Sequence, residues 1–178
     1  MFRGIDMGWK TLKDHFSINH IVTSGSRSIY IGSPCVNDLV VINKETGRVV
    51  NNSTFLSLTM KEYPQLYEAS PEDILQLINT QDDFEQSLIV YTYQGGEIIE
   101  KKCEQYGYPN VTHDGQLMYE NTFSADKSQV IEWAIQTAEA GVRHFNQTLD
   151  RLKNDMNEVE ASLIVEKDNL KKLKALSQ

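Results

Sequence analysis

The chain of 178 residues carries a formal net charge of −8, a 40 % share of hydrophobic residues and two cysteines. Its hydrophobic share, close to the globular average, excludes wholesale disorder, and two thiols exclude a disulfide framework, although a single Cys35–Cys103 bridge stays open. The charge is uneven: residues 64–123 hold two basic and eleven acidic side chains, against seven and five in 1–63 and eight and nine in 124–178.

Residues 7–16 are expected to form a short helix, with Trp9, Leu12 and Phe16 at spacings of three and four. β-type segments follow at 18–22, 28–31 and 38–42. Residues 43–47 read as a hairpin turn in which Gly47 takes positive φ, and 48–50 return as a strand, giving an antiparallel meander. Thr59 and Glu62 fit a capping box, with Pro64 limiting the helix that would follow. Ser70, Pro71, Glu72 and Asp73 form a stronger start signal: a hydroxyl cap, a proline in the first turn and acids at the positive helix end. Ile74, Leu77 and Ile78 are the apolar stripe of that helix, which should end near Asn79. Strands at 87–93 and 97–103 flank a Gly95–Gly96 turn. Residues 105–115 are rich in turn formers, and 116–119 suggest a short closing strand.

From about residue 128 to about residue 176 the sequence reads as one long amphipathic helix. Val142, Leu149, Met156, Leu163 and Leu170 recur every seventh residue, and Phe145, Leu152, Val159, Glu166 and Leu173 follow each by three. Nine of these ten positions are apolar, the pattern of a coiled-coil seam. The flanks are mostly polar, so the stripe is narrow and calls for another helix rather than a sheet. Upstream, Ile131, Trp133, Ala134, Ile135 and Ala138 make a broader face suited to packing on the chain's own β domain. Asp126 and Gln129 can cap the start reciprocally. No other segment is long enough to cover the distal half, so the cheapest partner is a second copy. The flanking charges leave orientation open: a parallel pair would set Asp155 against Glu160.

Chemical motifs are sparse. His15 and His20, and the adjacent His113 and Asp114, lack metal-ligand spacing, and Cys35 and Cys103 form no Cys-x-x-Cys. No glycine-rich phosphate loop or nucleophile arrangement is identifiable, so no catalytic residue, cofactor or metal is expected. The most unusual stretch is 106–123. Tyr106, Tyr108 and Tyr119 surround Asn110, His113 and Asp114, a set that suits a recognition surface. Turn chemistry over a small aromatic core is the plainer reading of the same residues. His113 and Asp114, just before Gly115, are expected at a solvent-facing turn tip. Asp82, Asp83 and Glu85 are candidates for an acidic contact with a basic partner, and the acidic middle makes direct nucleic-acid binding unfavourable. No apolar run approaches a membrane span and residues 1–9 hold no signal-peptide stretch, so the expectation is a soluble cytoplasmic protein.

The stretch 106–123, together with residues 8–16 (Gly-Trp-Lys-Thr-Leu-Lys-Asp-His-Phe) and 29–34 (Ile-Tyr-Ile-Gly-Ser-Pro), resembles uncharacterised proteins encoded by bacteriophages and prophages. The resemblance covers about the first two thirds of the chain and brings no catalytic residue. It implies a phage accessory protein acting in the bacterial cytoplasm, where small proteins of this kind often inhibit a host enzyme or defence complex. The expected fold is α+β: a small antiparallel β-rich domain with short helices over 1–125, then a coiled-coil helix over 126–178. The expected function is a self-associating, non-enzymatic protein that binds and inhibits or modulates a host protein, such as a defence or nucleic-acid-processing complex. Its rivals are a virion assembly factor, and a small-ligand binder or enzyme with its site at 106–123.

Overall fold

The computed structural model describes residues 8–51 and 54–176, so Met7, the expected first residue of the N-terminal helix, and residues 1–6 lie outside it. The described residues form an α+β protein of two compact units, Met1–Trp133 and Ala134–Gln178. The sequence places the boundary at 125/126. In the structure the first turns of the long helix belong to the β-rich unit, where Val130 is fully buried.

Helix α1 (Trp9–His15) buries Trp9 and Leu12, and Phe16 closes it on the same face. Ser17 then turns the chain with φ 50°. Strands β1 (Ile21–Ser24), β2 (Ser28–Gly32), β3 (Val40–Asn43) and β4 (Val49–Asn51) form an antiparallel sheet in sequence order. Val22 pairs with Ile31, and Ile29 with Ile42. Because side chains alternate along a strand, these residues and Val40 all reach one buried face. The β3–β4 turn is as expected, with Asn43 Oδ1 accepting from the Glu45 and Thr46 amides and Gly47 at φ 66°.

Three short helices follow: α2 (Leu56–Glu62), α3 (Pro64–Glu68) and α4 (Pro71–Ile78). Leu66, Ile74 and Ile78 join the core of α1 and the sheet. Ser70 caps α4 as expected, its hydroxyl accepting from the Asp73 amide at 3.1 Å. Thr59 does not cap. It lies inside α2, three residues after the helix begins, and its hydroxyl donates to the Phe55 and Leu56 carbonyls. The helix already begins at Leu56, which leaves Thr59 in its interior with its hydroxyl bonded back to the preceding turn.

Strands β5 (Leu88–Gln94) and β6 (Glu97–Cys103) form a hairpin closed by Gly95–Gly96, with Gln94 opposite Glu97. A two-stranded hairpin is marginal alone. Here Met118 and Phe123 cover Val90 and Cys103 in a second small core, and Tyr91 exchanges backbone hydrogen bonds with Ser124. The expected strand at 116–119 is absent. Leu117 makes a single bridge to Val111, and Met118 points its amide at the Asn110 carbonyl. Cys35 is exposed and Cys103 buried, both as free thiols.

Helix α5 (Lys127–Leu176) runs for 50 residues, about 75 Å at 1.5 Å per residue. Asp126 Oδ1 accepts from the Ser128 amide, as a cap should. Gln129 does not reach back to Asp126. Its side-chain oxygen accepts from Ser124, whose hydroxyl also receives the Asp126 amide. The broader apolar face expected at the start of α5 is present only in part: Trp133 and Ala134 are half-buried after the buried Val130, whereas Ile131, Ile135 and Ala138 are exposed. Among the described residues no helix is long and apolar enough to cross a membrane.

Candidate functional site

The 106–123 segment is irregular backbone held by its own side chains. Asn110 Nδ2 donates to the Tyr106 carbonyl at 2.8 Å, which closes the loop around the cis Tyr108–Pro109 bond. Tyr108 stacks on Tyr119 with centroids 5.8 Å apart, and its hydroxyl donates to the Pro34 carbonyl. Tyr106 and Tyr119 are each 49 % exposed. The structure therefore brings Tyr108 and Tyr119 together as one anchored aromatic surface. Exposed rings held in place suit a protein contact, because little side-chain entropy remains to be lost on binding.

The expected turn tip is different. His113 is buried, not solvent-facing. Its ring stacks on Phe84, its Nε2 lies 3.2 Å from the Gln86 carbonyl, its amide donates to Lys102 and its carbonyl accepts from Trp9 Nε1. The turn faces inward because Gly115 seats against β1: the Ser24 amide donates to the Gly115 carbonyl, and a Cβ there would stand 2.2 Å from Ser24 Cβ. Asp114 is exposed but fixed, accepting from Lys101 Nζ and the Thr112 hydroxyl. Burial alone would raise its carboxyl. The two hydrogen bonds and the Lys101 charge outweigh that and hold it below the ordinary carboxylate range.

The acidic run also divides. Asp83 and Glu85 are exposed, whereas Asp82 is buried. Asp82 accepts from the Lys10 and Thr11 amides at 3.1 and 2.7 Å and from the Thr11 hydroxyl at 2.8 Å. It caps α1 from 71 residues away, satisfying amides that no local residue reaches. Burial pushes its carboxyl up, and these bonds pull it only part of the way back. Asp82 thus belongs to the scaffold and not to an acidic docking surface.

A feature without a sequence signal is a cavity of about 330 Å³ lined by Trp9, Lys13, Asn19, His20, Glu104 and Asn110, among others. His20 Nδ1 is hydrogen-bonded to the Tyr63 hydroxyl, which donates to Glu62 at 3.1 Å. Burial, with the Glu62 charge behind it, pushes the Tyr63 phenol up to about 12. Tyr63 therefore stays protonated and orients the imidazole. Lys13 and Glu104 bring opposite charges to the same cavity, so the lining can meet a small polar group. Among the described residues no group of three or more His, Cys, Asp or Glu could hold a metal ion.

The seam of α5 is exposed along its length. Val142, Phe145, Leu149, Leu152, Met156, Val159, Leu163, Leu170 and Leu173 each keep at least half of their surface open, from 51 % at Leu163 to 67 % at Phe145 and Val159. Ile164 and Val165, which the seven-residue pattern passes over, are exposed beside it. Comparison with known protein families, characterised proteins and solved structures finds no match to this chain.

Proposed function

We propose that this chain is a self-associating, non-enzymatic binding protein: α5 pairs with a second copy, and the β-rich unit carries the contact for a partner protein. The observation behind this reading is the row of nine exposed apolar seam residues. Pairing would take these side chains out of water on both copies, the main favourable contribution to association. On the β-rich unit, Tyr106, Tyr108 and Tyr119 form the candidate contact, with Asp83 and Glu85 as exposed acids that favour a basic partner. The resemblance to phage proteins makes a bacterial host protein, met in the cytoplasm, the expected partner class.

Light scattering on the wild-type chain and on a Leu152→Asp/Val159→Asp variant tests the pairing. Wild type should be oligomeric at tens of micromolar and the variant smaller, because an unpaired carboxylate in the seam is costly. A wild-type chain that is monomeric there would refute it. Capture from bacterial lysate tests the partner: one stoichiometric host protein, lost on Tyr108→Ala/Tyr119→Ala, is the expected result.

The cavity beside His20 favours a second reading, a small-ligand binder, since Asn110 of the 106–123 segment lines it. Native mass spectrometry of the purified chain separates the two. A bound small molecule lost on His20→Ala would favour the ligand reading.

A further inference from the structure

Resting on the self-association reading, we infer that the second copy lies antiparallel on α5, with Met156 of one copy level with Val159 of the other. This alignment sets every seam residue against one of the opposite heptad class over the whole of 142–173. Val142 meets Leu173, and Leu149 meets Glu166.

Glu166 decides the orientation. It is the charged member of an otherwise apolar seam. In a parallel, in-register pair like positions face each other, so Glu166 would stack on Glu166 of the other copy, two carboxylates in one partly desolvated layer. In the antiparallel pair the two Glu166 side chains sit in different layers, each against Leu149. A parallel pair slipped by one heptad would also separate them. It would give up a layer at each end, however, and leave an open-ended contact in place of a closed two-fold one.

The flanking charges agree. In the parallel pair Asp155 faces Glu160 on both sides, and the remaining flanking contacts, Thr148 with Lys153, Ser162 with Lys167 and Asn169 with Lys174, set a neutral side chain against a lysine. In the antiparallel pair Lys153 of each copy comes beside Glu160 of the other, and Asp155 beside Ser162. Two repulsions are exchanged for two attractions. Lys153 is engaged only at the surface of its own helix, 3.7 Å from Asp150, an exposed pair that gives way readily. Glu160 is exposed on α5 and available to it.

Spin labels on the outer face of α5 test this. Ala140→Cys and Ala161→Cys are made separately in a Cys35→Ser background, where Cys103 stays unlabelled because it is buried and its thiol is pushed up by that burial. In the antiparallel pair the Ala140 labels are offset along the axis by about 50 Å and the Ala161 labels by about 10 Å. Pulsed dipolar spectroscopy should therefore give a long distance for the first and a short one for the second. Equal short distances at both sites would overturn the antiparallel arrangement and leave self-association standing. No dipolar coupling at either site, with a monomer mass by light scattering, would overturn both.

Discussion

Phe84 and His113 lie face to face, their ring centroids 3.7 Å apart and their planes within 2° of parallel. Phe84 also sits 6.1 Å from Trp9, whose indole N–H donates to the His113 carbonyl. One imidazole thus ties α1, the approach to β5 and the 106–123 segment together. Replacing His113 with Ala should cost roughly 2–4 kcal/mol, as deletion of a buried ring leaves a cavity. Asp114→Ala, next to it, should cost less than about 1 kcal/mol, the range of an exposed ion pair. Urea denaturation of the two single variants checks this. Equal losses would show that the histidine does not hold the segment.

Asp82 and Asp83 should separate as sharply. Asp82→Ala leaves the Lys10 and Thr11 amides without their acceptor, and lost helix caps cost about 0.5–2 kcal/mol. The buried position puts this one at the upper end. Asp83→Ala should stay within about 0.5 kcal/mol, as exposed substitutions do. Thermal unfolding of both variants is the measurement. A large loss at Asp83 would mean that its exposed side chain has a structural partner.

The pH dependence of stability should carry the mark of Asp114. Its folded carboxyl lies below the ordinary 3.8 because bonds from Lys101 and Thr112 and the Lys101 charge outweigh burial. The unfolded chain therefore takes up this proton first. The stabilisation is complete above the ordinary value and fades as pH falls through the lower, folded one. Wild type should exceed Asp114→Asn in urea midpoint at pH 7, with the gap closing as the pH drops below about 4. A gap that widens on acidification would reverse the assigned sign.

What the sequence made legible is local. The Trp9, Leu12 and Phe16 spacing, the Ser70 cap, the Gly95–Gly96 turn and the seven-residue repeat of α5 each depend on neighbours a few residues away, and each appears where the pattern puts it. What it hid depends on distant contacts. Nothing near Asp82 says that it will cap a helix 71 residues earlier, and nothing near His113 says that Phe84 waits for it. His20 has no metal-ligand spacing in the sequence, yet Tyr63, 43 residues away, orients it in a cavity. Thr59 matched a cap pattern because the pattern ignores where the helix has already begun. The seam itself was legible, because it repeats every seven residues along one helix and needs no distant contact to be read.

The last prediction concerns Glu166, the charged residue among ten seam positions. Exposed in the single chain, it must give up part of its hydration when α5 pairs, whichever helix covers it. Loss of hydration by an ionised group is unfavourable, and leucine at the same position would add an apolar contact. Glu166→Leu should therefore tighten self-association and leave the β-rich unit unchanged. A gain of roughly 1–2 kcal/mol per copy is the expected scale for exchanging a partly desolvated charge for a partly buried leucine. Sedimentation equilibrium across a dilution series reads the dissociation constant directly, and hydrogen exchange along 142–173 reports which residues gain protection. Glu166→Gln separates the contributions: it removes the charge without adding apolar surface and should fall between wild type and Glu166→Leu. If both variants associate no more tightly than wild type, position 166 lies outside the interface, and the pairing does not extend along the whole seam.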